Sequence, residues 1–161
     1  MRKDKMLLFM WSLAVLAVDQ FSKALVLNFF HEGARLSVLP GLFDLVLTFN
    51  KGIAFGVLAD FPEPARQIVI AAATLTALAL VFYFLIKHYR TDTVAQRALA
   101  AILGGAAGNL IDRLRLGQVV DFIDIYYAQY HWPAFNLADS AICVGVVVLM
   151  LRPLKSKPNQ L

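Results

Sequence analysis

Val119-Val-Asp121-Phe-Ile-Asp124-Ile-Tyr-Tyr127, followed shortly by Trp132-Pro-Ala-Phe-Asn136-Leu-Ala-Asp139-Ser140, is the stretch on which the fold turns. It carries three carboxylates, and the last of them opens an apolar run that reaches Leu151. A carboxylate set against hydrocarbon is costly, so acids kept in such a place are candidates for chemistry.

The rest of the chain explains the hydrocarbon. Of its 161 residues, 60% are hydrophobic and only 16% charged, against about 25% charged in a soluble domain. The mean hydropathy is +0.66. This composition predicts an all-α polytopic membrane protein, a single membrane domain over 1–161. The net charge of +4 comes from short basic groups between apolar runs and builds no basic face, which excludes a nucleic-acid partner. Cys143 is the only cysteine, so no internal disulfide and no cysteine cluster for zinc can form. It reads as a small buried hydrophobe.

Working back to the start, Arg2, Lys3 and Lys5 precede an apolar run with the outline of a secretory leader. No convincing small-x-small cleavage site follows, and apolar character resumes after Asp19 and Lys23. The reading is a retained transmembrane helix over 6–28. Asp19 and Lys23 are four apart in the favoured order, so they can pair while Lys23 snorkels outward. An ion pair that only anchors the helix is the alternative.

Residues 31–62 are too polar to span. Phe43 to Asn50 alternates apolar and mixed positions, as a strand with two faces does. Pro40-Gly41 turns the chain from a shorter strand at Leu36–Leu39. A small extracytoplasmic β-sheet, or cradle, over about 34–58 is therefore expected between helices 1 and 2. Asn50-Lys-Gly52-Ile-Ala54-Phe55-Gly56 ends it, with glycines that permit a turn or a close approach.

Asp60-Phe-Pro62-Glu63-Pro64 announces a second helix, with a span over 66–86. The third span, 94–112, repeats Ala100, Gly104 and Gly108, spacing that lets another helix come close. Asn109, Asp112 and Arg113 share one face at its end; an Asp112–Arg113 pair is the bland reading. The fourth span, 135–152, is short for a full crossing. With both termini and the second loop cytoplasmic, nine Lys/Arg fall inside. Arg35, Lys51, Arg66, Arg113 and Arg115 fall outside, and Lys23 lies within a span. The bias predicts four spans, N-in and C-in, with every unusual polar group in the outer leaflet.

Asn136 with Asp139 three residues on has the form of a capping box, which alone would explain both. The same helix start favours Asp139 as an anion. Asp121, among Val120 and Phe122, is favoured neutral by desolvation. Should the two face each other, they would share a proton as an aspartyl protease dyad does. Asp124 lies in an aromatic set, Tyr126, Tyr127, Tyr130 and Trp132, that reads as an interfacial belt. It is expected to be a solvated loop acid, His131 interfacial, and His31 and His88 loop residues.

Asp19-Gln-Phe-Ser-Lys23, Asn50-Lys-Gly-Ile-Ala-Phe55, Gly105-Ala-Ala-Gly-Asn-Leu-Ile-Asp-Arg113, Val120-Asp-Phe122 and Phe135-Asn-Leu-Ala-Asp139 together resemble the ordered motif series of bacterial lipoprotein signal peptidase, or signal peptidase II. The resemblance covers nearly the whole chain and implies an intramembrane aspartyl endopeptidase. Such an enzyme removes the signal peptide from a diacylglyceryl-modified prolipoprotein, cutting just before the lipidated cysteine. Carried over by motif, Asp121 and Asp139 are the catalytic pair. Asp19, Lys23, Asn50, Gly52, Asn109, Asp112, Arg113, Asn136 and Ala138 form the supporting or substrate-contacting shell. The resemblance further implies a monomer in the bacterial cytoplasmic (inner) membrane, among membrane lipids, with its site toward the extracytoplasmic side. No cofactor or metal is implied, and globomycin is the expected inhibitor.

Two other classes remain open on the residues. A Mg²⁺-dependent lipid head-group enzyme could use Asp121, Asp124 and Asp139 as oxygen ligands. A proton-coupled transporter could use intramembrane acids as a relay; the chain lacks the repeats and midplane polar groups such proteins carry.

Overall fold

In a computed structural model, which describes residues 2–52, 62–87, 89 and 91–152, two pairs of strands are set between the helices along the chain. They are α1 (Arg2–Phe29), β1 (Arg35–Leu39), β2 (Phe43–Asn50), α2 (Ala65–Lys87), α3 (Thr93–Leu116), β3 (Val119–Tyr127), β4 (Tyr130–His131) and α4 (Leu137–Met150). The expected Ala54-Phe55-Gly56 turn, the sheet end at 53–58, and His88, Arg90, Lys155 and Lys157 lie outside the described residues.

Among the described residues three helices, α1, α2 and α3, are long and apolar enough to cross a membrane. At 1.5 Å per residue the 28 residues of α1 reach about 42 Å. The fourth helix is shorter than the expected 135–152. Its 14 residues cover about 21 Å, because Asn136 caps one end and Leu151 the other.

α3 is the axis of the bundle, with α1 and α4 packed on it. Small residues set the distances. A Cβ on Gly105 would lie 2.6 Å from the Ala138 carbonyl oxygen of α4, and one on Gly108 would be driven into the Asp19 carboxylate of α1. Glycine is thus required at both places for the helices to meet as they do. Asp92 caps the start of α3, and Gly117, in the left-handed region at φ 71, ends it and turns the chain into β3. α2 leans on α3 alone among the major contacts, through a stripe that includes Ile70, Thr74, Leu78 and Val81. Cys143 is exposed on α4, not buried as expected, since Gly145 and not Cys143 points α4 at Ile102.

The sheet differs from the expectation of a cradle confined to the segment between helices 1 and 2. It is antiparallel with order β1-β2-β3-β4, and half of it comes from the segment between α3 and α4. The β-branched and aromatic run Val119–Tyr127, whose Tyr126 and Tyr127 belong to the expected interfacial belt, is its longest strand. β2 and β3 pair so that Thr48 opposes Asp121 and Asp44 opposes Asp124. Leu47, Val120 and Phe122 pack on Val26 near the end of α1, which fixes the sheet to the bundle. Phe135 bridges to Ile123 and delivers the chain to the start of α4 beside Asp121.

Candidate active site

Asp121 on β3 and Asp139 in the first turn of α4 meet at one residue, Asn136. The Asn136 side chain donates from Nδ2 to Asp121 Oδ1 at 2.7 Å. Its Oδ1 accepts from the Asp139 backbone N–H at 2.9 Å, and its own N–H donates to Asp139 Oδ2 at 3.3 Å. The capping box read from the sequence is therefore present, and it is also the bridge between the acids.

Two more asparagines complete the frame by the same logic. Asn50 accepts from Gly52 N–H at 3.0 Å and donates to Asp121 Oδ2 at 3.1 Å. Asn109 accepts from Lys23 Nζ at 2.9 Å and donates to Asp139 Oδ1 at 2.8 Å. In each case the amide oxygen faces a group that can only donate, a backbone N–H or an ammonium. The amide NH₂ must then turn to a carboxylate. Both oxygens of both acids thus receive donors of fixed direction.

Lys23 is held in turn by two acids. It meets Asp19 Oδ2 at 2.9 Å and Asp112 Oδ2 at 2.8 Å, with 2% of its side chain exposed. It does not snorkel, and Asp112 pairs with it and not with Arg113, because α1 and α3 approach too closely at Gly108 for the ammonium to leave. Asp19 and Lys23 brace three elements: Asp19 Oδ1 also accepts from Ala138 N–H of α4 at 2.9 Å. Asp112 Oδ2 accepts from Val120 N–H of β3 at 3.2 Å. Arg113 donates instead to Gly52 carbonyl oxygen at 3.2 Å, tying α3 to the end of β2.

Sequence reasoning missed Gln20. Its Nε2 lies 2.9 Å from Asp112 Oδ1, 3.1 Å from the Gly108 carbonyl oxygen and 3.3 Å from Asp19 Oδ2. The available signal was an uncharged amide beside an acid in an otherwise apolar helix.

Asp124 departs from the expectation. It is a buried acid of β3, 4% exposed, and not a solvated loop acid. Three residues from Asp121 on a strand, it points to the other face. There it meets Arg35 at 2.8 Å and His131 Nδ1 at 3.0 Å, and Arg35 also bridges to the opposed Asp44 at 2.5 Å. His131 is accordingly a partner of Asp124, stacked on Tyr126.

Asp121 is 1% exposed. Burial, then the neighbouring Asp139 charge, pushes its carboxyl up to about 7, against the hydrogen bonds of Asn50 and Asn136 and the field of Lys23. One acid that keeps its proton near neutral pH stands beside another in the first turn of a helix. Such a pair can accept a proton from water and return one to a carbonyl oxygen.

Comparison with known proteins matches this arrangement to a family. Residues 11–155 match the family model described as Signal peptidase (SPase) II. The chain is similar to the lipoprotein signal peptidase of Syntrophotalea carbinolica, 49% identical over 138 residues, 85% of this chain and 84% of the relative. It is 42% identical to that of Syntrophus aciditrophicus over 151 residues, 94% of each. A solved bacterial membrane enzyme, determined by the in meso method at 1.9 Å, superposes with a TM-score of 0.81 at 29% identity, covering 93% of this chain and 94% of that one. The chain therefore belongs to the signal peptidase II family.

Proposed function

We propose that the chain is an intramembrane aspartyl endopeptidase that removes the signal peptide from diacylglyceryl-modified prolipoproteins, cutting just before the lipidated cysteine. The observation that carries this is the convergence on Asn136 of Asp139 and a buried Asp121 that keeps its proton near neutral pH. Asp139 takes a proton from the attacking water while Asp121 donates to the scissile carbonyl oxygen. Asn50, Asn109 and Asn136 hold the acids; Gly52 N–H fixes Asn50, Lys23 fixes Asn109, Asp19 and Asp112 hold Lys23, and Asp19 anchors the start of α4 through Ala138 N–H. Gly52 and Arg113 join the sheet to the bundle at the place where a peptide would lie.

The chain forms one membrane domain of four spans, N-in and C-in, as a monomer among membrane lipids in the bacterial cytoplasmic membrane. The excess of Lys and Arg on the cytoplasmic loops supports this orientation. It puts the acids and the sheet on the extracytoplasmic side, where a signal helix could reach them laterally and water is at hand. The sheet excludes bulk water from the bond being cut. The Mg²⁺-enzyme reading loses its best feature, since Asp121 and Asp124 face opposite sides of β3 and Asp124 is engaged by Arg35 and His131.

The test is incubation of purified protein with a diacylglyceryl-modified precursor and its unlipidated twin, with and without globomycin. Cleavage of the lipidated form alone, blocked by globomycin and unaffected by EDTA, is expected. An intact lipidated precursor, or activity lost to EDTA and restored by Mg²⁺, overturns the proposal.

A further inference from the structure

We propose that Gln20 is a positioning residue for the acid pair: it holds the Asp19–Lys23–Asp112 cluster in the arrangement that turns the Asn109 amide toward Asp139. The inference rests on the peptidase reading above.

The Lys23 ammonium has three hydrogens, and three acceptors take them: Asp19 Oδ2, Asp112 Oδ2 and Asn109 Oδ1. Two carboxylates and one ammonium, all buried, leave negative charge in excess. An ammonium so placed is drawn toward the acids and away from the neutral amide unless other donors answer them. Ala138 N–H answers Asp19 Oδ1, and Val120 N–H answers Asp112 Oδ2. Asp112 Oδ1 is answered by Gln20 Nε2, at 2.9 Å. The same amide reaches Asp19 Oδ2 at 3.3 Å and anchors itself on the Gly108 carbonyl oxygen at 3.1 Å.

The consequence travels one residue further. Asn109 donates to Asp139 only because Lys23 holds its oxygen on the other side. If Lys23 moves onto Asp112, the Asn109 amide is free to rotate and offer Asp139 an oxygen in place of a donor. Gln20 touches neither acid of the pair, so its effect belongs to turnover and not to substrate binding.

The test compares Gln20→Leu, which keeps the bulk, and Gln20→Glu, which keeps the shape, with wild type from pH 5.5 to 8.5. Gln20→Leu should lower kcat by about 10- to 100-fold with KM within about twofold, the scale of a small misplacement in a site. Its alkaline limb, set by the proton on Asp121, should move up by about half a pH unit as the field of Lys23 weakens. The groups facing Asp121 are otherwise unchanged: Asn50 from β2, Arg113 from α3, and Asn136 and Asp139 from the start of α4. Gln20→Glu should be impaired at pH 8 and approach wild type toward pH 5.5, where its protonated carboxyl again offers a donor. Unchanged kcat in both variants overturns the proposal. So does a loss that is constant with pH and follows only the amount of folded protein.

An infrared titration of the Asp121 carboxyl band, assigned with Asp121→Asn, reads the same effect without substrate. If wild type leaves the lipidated precursor intact but Gln20→Leu still raises that midpoint, the peptidase reading falls and the positioning role stands. A midpoint and kcat that stay put in an active enzyme reject the positioning role alone. If Gln20→Leu does not accumulate, the pH signature of Gln20→Glu decides.

Discussion

Asp121→Asn should change how stability depends on pH. The Asp121 carboxyl is pushed up to about 7 in the folded protein from an ordinary value of 3.8 by burial and by Asp139. Between those two values the folded chain holds a proton that the unfolded chain has released. Stability is therefore highest below the unfolded value, falls as pH rises through the window, and levels off once the folded carboxyl ionises. From pH 5 to pH 8 about two units of that window are crossed, which is about 3 kcal/mol. Asn cannot ionise, so wild type should lose that much relative to Asp121→Asn over the same range. In a chain of 161 residues this amounts to roughly 5–10 °C in Tm. The donor clash that an amide meets at Asn50 and Asn136 lowers the variant equally at both pH values and cancels in the comparison, as do the titrating groups that do not interact with Asp121. Tm of both proteins in detergent micelles at pH 5 and pH 8, followed by tryptophan fluorescence, measures it. Parallel curves would refute the claim that folding keeps this carboxyl protonated.

Asp121→Asn and Asp139→Asn should each reduce cleavage of a lipidated precursor by about a thousandfold or more while inserting normally, since each removes one end of a proton transfer; turnover near wild type in either would reject the pair. Asp124→Asn should keep most activity yet lower stability by about 1–2 kcal/mol, because Arg35 and His131 lose a charged acceptor. Thermal unfolding and precursor cleavage on the same sample separate the two effects. Gly108→Ala should cost about 1–3 kcal/mol and most activity, since its methyl displaces the Asp19 carboxylate that holds Lys23; a variant with normal Tm and turnover would show that α1 can yield there.

Periodicity and local chemistry made much of this readable in the sequence. The apolar runs gave three long helices to within a few residues, and Asn136 with Asp139 gave the capping box. What local reading cannot supply is partnership between distant segments. Asp112 sits beside Arg113 in sequence, yet its partner is Lys23, 89 positions away, because close packing at Gly108 seals Lys23 between α1 and α3. Val119–Tyr127 has strand composition, but Tyr126 and Tyr127 also fit an interfacial belt with Tyr130 and Trp132, and only pairing with β2 makes the run a strand. The same pairing sets Asp124 opposite Asp44, with Arg35 between them, which no spacing within either segment announces.

The position of Asn136 shows why the acids are so firmly placed. The residue that starts α4 by accepting from Asp139 N–H is the residue that donates to Asp121. Moving Asp139 away from Asp121 therefore requires breaking the first turn of α4, whose next N–H, at Ala138, is already held by Asp19 of α1. Site geometry and helix initiation are one set of hydrogen bonds, so the site is ordered before any substrate arrives. Asparagine alone meets the requirement at this junction. Aspartate could cap the helix but would offer Asp121 no donor, and serine has no second arm to reach it. Asn136→Asp should therefore leave α4 intact and still abolish the pairing of the acids.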